Sequence, residues 1–294
     1  MVIFMKLSEI NIRDPFILTF NKKYYMYGSR VTNPNEKFGW GLQTGFDVYE
    51  SVDLENWINP KSVFEMTDDF WATRDAWAPE VHIYNNKFYM FATFKAEGKC
   101  RGTQILVSDT PNGQFTPITQ SPITPSDWEC LDGTFYVDKQ GNPHIVFCHE
   151  WVQIKNGTVC EMQLSPDLTH AVSEPRVLWS ADDYKSVKSV RANENCFVTD
   201  GPFIYRNEND ELLCIWSSFN DNGYTELVSK SDNSDIDGNW SVCDEPLSAV
   251  DGGHGMIFKA FDGKEYFIMH KPNKATLERP VITELKQENG KIFI

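Results

Sequence analysis

One arrangement recurs five times along the chain and restricts its fold more than any other feature: a short polar motif, an apolar strand, a turn, then a second apolar strand. The five hairpins start at Asp14-Pro15-Phe16, Ala78-Pro79-Glu80, Asp132-Gly133-Thr134, Asp200-Gly201-Pro202 and His254-Gly255-Met256. Their turn signals are Asn21-Lys22, Asn85-Asn86, Gly141-Asn142, Asn209-Asp210 and Asp262-Gly263, residue pairs that tolerate the left-handed backbone of tight hairpins. Four of the five are followed by an apolar strand closing on Ser and Asp, as in Leu106-Val107-Ser108-Asp109, so each unit holds three strands with room for a fourth. The phase markers Asp14, Ala78, Asp132, Asp200 and His254 are 64, 54, 68 and 54 residues apart, which divides 294 residues into five units. The expectation is all-β: a five-bladed β-propeller of four-stranded antiparallel blades, forming a single domain over 1–294. Two β-sandwiches would need as many strands but not the same hairpin in phase.

Composition narrows the partners. The formal charge of −15 repels phosphates, and no window clusters Lys and Arg, so neither a nucleic acid nor an anionic membrane is expected. No apolar run is long enough to span a bilayer, and the opening apolar residues are too few for a secretory leader, so the expected location is cytoplasmic. The seven cysteines are scattered and mostly sit in apolar strand contexts, which reads as buried thiols.

Residues that lead the innermost strands of a propeller converge on one rim of its channel. Here they are Asp14, Glu80 or its neighbours, Asp132, Asp200 and His254. Crowded carboxylates raise one another's pKa, so that one stays protonated while another is ionised, as glycosidic cleavage requires. An Asp before Gly or Pro is also an ordinary turn former, but three of them on repeat units favour a shared cleft.

Arg13-Asp14-Pro15, Trp77-Ala78-Pro79-Glu80, Leu131-Asp132-Gly133, Asp200-Gly201-Pro202 and Gly253-His254-Gly255 resemble the successive blade motifs of glycoside hydrolase family 43. The resemblance implies a five-bladed propeller that hydrolyses terminal α-L-arabinofuranosyl or β-D-xylosyl bonds of plant-type oligosaccharides with inversion. It matches Asp14 to the general base and Asp132 to the aspartate that tunes the acid. The acid position carries a departure, because the family's Glu before Gly-Pro is Asp200 here, a carboxyl about 1.5 Å shorter in reach. Asp200 itself, Glu150 in Cys148-His149-Glu150-Trp151, or an impaired sugar-binding site all remain open. Trp128-Glu129-Cys130 resembles the acid motif of fructan-type retaining propellers, although the nucleophile segment of those enzymes is missing. His254 matches a histidine that binds calcium or its water shell in many members, making calcium an expected but not compelled cofactor. Trp77 and Trp40 are the candidate sugar platforms, and Arg279 resembles a late arginine that holds a carboxylate or a substrate hydroxyl. The oligomeric state is not readable.

Overall fold

The computed structural model describes residues 4–32, 42–248 and 250–294. Each predicted hairpin is present. Inner strands Ile12–Phe20, Arg74–Tyr84, Cys130–Val137, Asp200–Arg206 and Gly253–Lys259 pair antiparallel with second strands Lys23–Arg30, Lys87–Lys95, Pro143–His149, Leu212–Asn220 and Glu265–Lys271. Asn21 and Lys22, like Asn85 and Asn86, have positive φ between paired ends Phe20/Lys23 and Tyr84/Lys87, as two-residue hairpin turns need.

Third strands Gly45–Ser51, Gly102–Ser108, Thr158–Gln163, Gly223–Ser231 and Arg279–Glu284 complete the common pattern. Each inner strand packs against the next, and the fifth packs back against the first, so the sheets close into a ring: a five-bladed β-propeller. Blades two, three and four are four-stranded. The other two depart from the expected count. The first is a six-stranded sheet whose periphery takes in Phe4–Lys6, while the fifth has three strands. Apolar and aromatic side chains fill the seams between blades, with Phe46, Phe64 and Phe94 packed together where the first meets the second.

Closure between blades five and one relies on side chains. Arg13 pairs with fully buried Glu278 at 2.9 Å, Asn11 Nδ2 donates to the Glu278 carbonyl at 2.7 Å, and Arg279 Nε donates to the Ser8 carbonyl at 3.2 Å. All seven cysteines are free thiols, and five of them are buried. Among the described residues no helix is long and apolar enough to cross a membrane.

Candidate active site

Every inner strand carries the same irregularity near its start. The register slips between Arg13 and Phe16, Trp77 and Glu80, Leu131 and Thr134, Asp200 and Phe203, and Gly253 and Met256. In each case two residues face one, and the first of the two has positive φ: Asp14 (51°), Ala78 (45°), Asp132 (56°), Gly201 (52°) and His254 (52°). These five are the true equivalents. Asp200 therefore lies one residue ahead of the phase in which its carboxylate had placed it, level with Arg13, Trp77, Leu131 and Gly253. The rim thus has two tiers, an inner one of bulge residues and an outer one of their predecessors.

A cavity of about 260 Å³ opens on this rim, lined by Asp14, Asp132, Asp200, Glu150, Trp77 and His254 among others. The inner tier converges: His254 Nδ1 is 3.3 Å from Asp14 Oδ1 and 3.7 Å from Asp132 Oδ2. The ring lies over Gly201, where an added Cβ would come within 2.7 Å of His254 Cγ, so that position needs glycine for space as well as for φ.

The three aspartates sit in different fields. Burial would raise Asp14, but His254, Arg13 and His270 with the Ser29 hydroxyl overcome it and hold the carboxyl at about 2. His270 is kept neutral, at about 3, by its own burial and by Arg13, so its Nδ1 can accept the Asp14 N–H at 3.2 Å. Asp132 moves the opposite way, pushed well above the usual range by burial and by Asp14. Asp200 rises to about 7 through burial and Asp132, moderated by His254 and by Tyr224, whose hydroxyl donates to Oδ2 at 3.1 Å. One carboxyl is firmly ionised while another holds its proton near neutrality.

Tyr224 is where it is because of a glycine. A Cβ on Gly253 would lie 2.7 Å from Tyr224 Cε1, so the bare outer-tier position of the fifth blade makes room for the ring beside Asp200. The phenol also stacks on His270 with centroids 5.8 Å apart.

The remaining candidates divide. Glu150 follows the second strand of the third blade and lines the cavity, but its carboxylate is ion-paired with Arg101. Arg101 also reaches Asp75 at 3.0 Å and lies over the Trp77 ring at 4.4 Å, so one indole face is covered by a guanidinium. Trp40 falls outside the described residues. Arg279 is not at the cavity: its guanidinium bonds the backbone carbonyls of Ser8 and Glu278, and the adjacent Glu278 is the residue that reaches the site, through Arg13. Glu129 is held by Lys95 and by the Arg101 N–H and is not among the residues that line the cavity. Arg101 and Tyr224 had no sequence signal, since each gains its role from a partner far away in the chain.

The donor set around His254 does not suit calcium. This ion prefers six to eight oxygens, His254 offers one nitrogen, and its Nδ1 already faces two carboxylates. Among the described residues no group of three or more His, Cys, Asp or Glu side chains could hold a metal ion.

Comparison with known proteins identifies the family. The family described as Glycosyl hydrolases family 43 matches residues 7–290. The chain belongs to glycoside hydrolase family 43. The crystal structure of an endo-arabinase from Bacteroides thetaiotaomicron VPI-5482 is 38% identical, with a TM-score of 0.88 and 98% of each chain covered. A β-xylosidase/α-arabinofuranosidase of the family from a compost microbial metagenome, solved with xylotriose in a calcium-free form, shares the fold at 18% identity and a TM-score of 0.74, covering 99% of this chain and 97% of that one. Extracellular endo-α-(1→5)-L-arabinanase 1 of Bacillus subtilis (strain 168) is 23% identical over 154 residues, 49% of this chain and 45% of that protein. The chain thus spans about half the length of the curated relatives it matches. The matched relatives include an endo-arabinanase and a xylosidase/arabinosidase, and the family expected from sequence is the one matched.

Proposed function

We propose that this protein hydrolyses α-L-arabinofuranosyl bonds of arabinan-type oligosaccharides by single displacement with inversion. The observation that carries the reading is the gathering of three buried aspartates on one cavity, with Asp14 held at about 2 and Asp200 raised to about 7. In this scheme Asp14 accepts a proton from water as the water oxygen attacks the anomeric carbon. The bond from that carbon to the leaving oxygen breaks, and Asp200 delivers its proton to that oxygen. Burial, and after it the neighbouring Asp132 carboxyl, keep Asp200 protonated. Asp200 is favoured over Glu150 because the Glu150 carboxylate is engaged by a buried guanidinium, whereas Asp200 has no guanidinium partner and is held by the Tyr224 hydroxyl near other acids and His254. An arabinofuranosyl substrate is favoured over a xylosyl one by the 38% identity to an endo-arabinase. No step is assigned to calcium.

The test is proton NMR of the anomer first released from arabino-oligosaccharides, run beside xylo-oligosaccharides. Inverted arabinose-terminated product is expected. A retained anomer would overturn the mechanism, and no product at high protein concentration would leave a sugar-binding propeller.

A further inference from the structure

The bulges do more than present side chains. At four of the five blade junctions the bulge N–H donates to a side chain on the second strand of the preceding blade, and that acceptor always occupies the same register position. Ala78 N donates to Ser29 Oγ at 2.7 Å, Asp132 N to Thr93 Oγ1 at 2.9 Å, His254 N to Ser217 Oγ at 2.7 Å and Asp14 N to His270 Nδ1 at 3.2 Å. Ser29, Thr93, Ser217 and His270 pair with Arg13, Trp77, Asp200 and Gly253, each the residue before a bulge. Together they form a ring of latches holding the inner strands in place.

The junction between blades three and four breaks the pattern. The register position there is Cys148, paired with Leu131 and fully buried, and a thiol is a poor acceptor. The Gly201 N–H goes instead to Asp132 Oδ2, at 3.0 Å. This N–H belongs to the peptide that joins Gly201 to Asp200, so whatever accepts it fixes the residue assigned above as the acid.

We propose that Cys148 makes Asp132 the positioning residue for Asp200: by offering the Gly201 N–H no acceptor, the thiol passes the inter-blade latch to the Asp132 carboxyl, which holds the Asp200 peptide through the backbone. A hydroxyl at position 148 takes the latch back, because Ser29 and Ser217 reach the next bulge N–H from the same register position at 2.7 Å. The groups facing Asp132 and Asp200 are Asp14, His254, Glu150, Arg101 and Tyr224, and the exchange leaves all of them in place.

Two readouts test this, and only the second rests on the hydrolase reading. The first is a thermal-unfolding cycle with Asp132→Ala, which removes the latch, Asp132→Asn, whose amide oxygen still accepts the N–H, and Cys148→Ser. Cys148→Ser is expected to raise the Tm of Asp132→Ala by about 2–4 °C, the shift for one recovered hydrogen bond, and to leave that of Asp132→Asn nearly unchanged. Cys148→Ala is the control and is expected to rescue neither. The second readout is turnover: Cys148→Ser restores part of the kcat lost in Asp132→Ala at unchanged KM. Equal Tm changes in the Ala and Asn backgrounds overturn the proposal whether or not the protein is active. A wild-type chain without activity, alongside a cycle that shows the expected coupling, refutes only the hydrolase reading.

Discussion

Replacing Asp200 by Asn should make the protein more stable while removing the group assigned as its acid, and the size of the gain follows from the carboxyl's surroundings. Burial and the neighbouring Asp132 raise Asp200 from 3.8 to about 7. The folded pKa lies above the unfolded one, so the unfolded chain releases this proton first as pH rises. Asp200 therefore costs nothing below pH 3.8, costs more with every unit above it, and reaches its full cost near pH 7. A gap of about three units at 1.36 kcal/mol each is on the order of 4 kcal/mol. Asn is nearly isosteric, and its amide oxygen can still accept from the Tyr224 hydroxyl, so packing is preserved. Urea unfolding of both chains at pH 4 and pH 8 isolates the effect, because the other titrating groups largely cancel between them. The two midpoints should nearly coincide at pH 4, and the variant should be the more stable by several kcal/mol at pH 8. A pH-independent difference, or a less stable variant at pH 8, would show that Asp200 is not held in an unfavourable field.

Catalysis should show the same carboxyl from the other side. The alkaline limb of kcat/KM is expected near pH 7, falling about tenfold per unit as Asp200 ionises, and Tyr224→Phe should move it upward by about one unit, since the phenol favours the ionised form. A limb that stays put in Tyr224→Phe would assign it to another group. Asp14→Asn is expected to lower kcat by about 10²–10⁴-fold with KM changed little, read from initial rates on an arabino-oligosaccharide. Glu278→Ala breaks a buried ion pair at the ring closure and takes one carboxylate partner from Arg13, so urea unfolding should register a loss of about 3 kcal/mol.

How far the sequence discloses such a site depends on whether a function sits in a repeat or in a tertiary contact. The hairpins were legible because strand, turn and strand are local, and Asp14 and Asp132 could be found because the repeat puts them at the bulge. Asp200 was misplaced by one residue for a physical reason. Matching carboxylate to carboxylate follows side chains, whereas the fold matches backbone, and the residue that takes the left-handed bulge conformation in the fourth blade is Gly201. The three-stranded fifth blade and the Phe4–Lys6 strand at the periphery of the first could not be read, because pairing at the ends of a closed ring joins segments with no sequence proximity. Arg279 drew attention through a motif-like context, yet it bonds backbone carbonyls while its neighbour Glu278 crosses the closure to Arg13. Arg101 and Tyr224 meet their partners 49 and 24 residues away and carry no pattern at all.

The one-residue offset also clarifies the division of labour on the rim. Asp14, Asp132 and His254 share the inner tier and therefore crowd one another: one imidazole nitrogen faces both carboxylates, and Asp14 raises Asp132. Asp200 stands in the outer tier with Arg13 and Trp77, close enough to be raised by Asp132 but on the level of the residues that edge the cavity. In the proposed inverting scheme base and acid act on opposite faces of the sugar, so they must differ in height along the cleft as well as in charge. The repeated bulge provides both differences, because the bulge position places Asp14 beside the Arg13 guanidinium and two imidazoles, and the position before it places Asp200 against a phenol, other acids and His254.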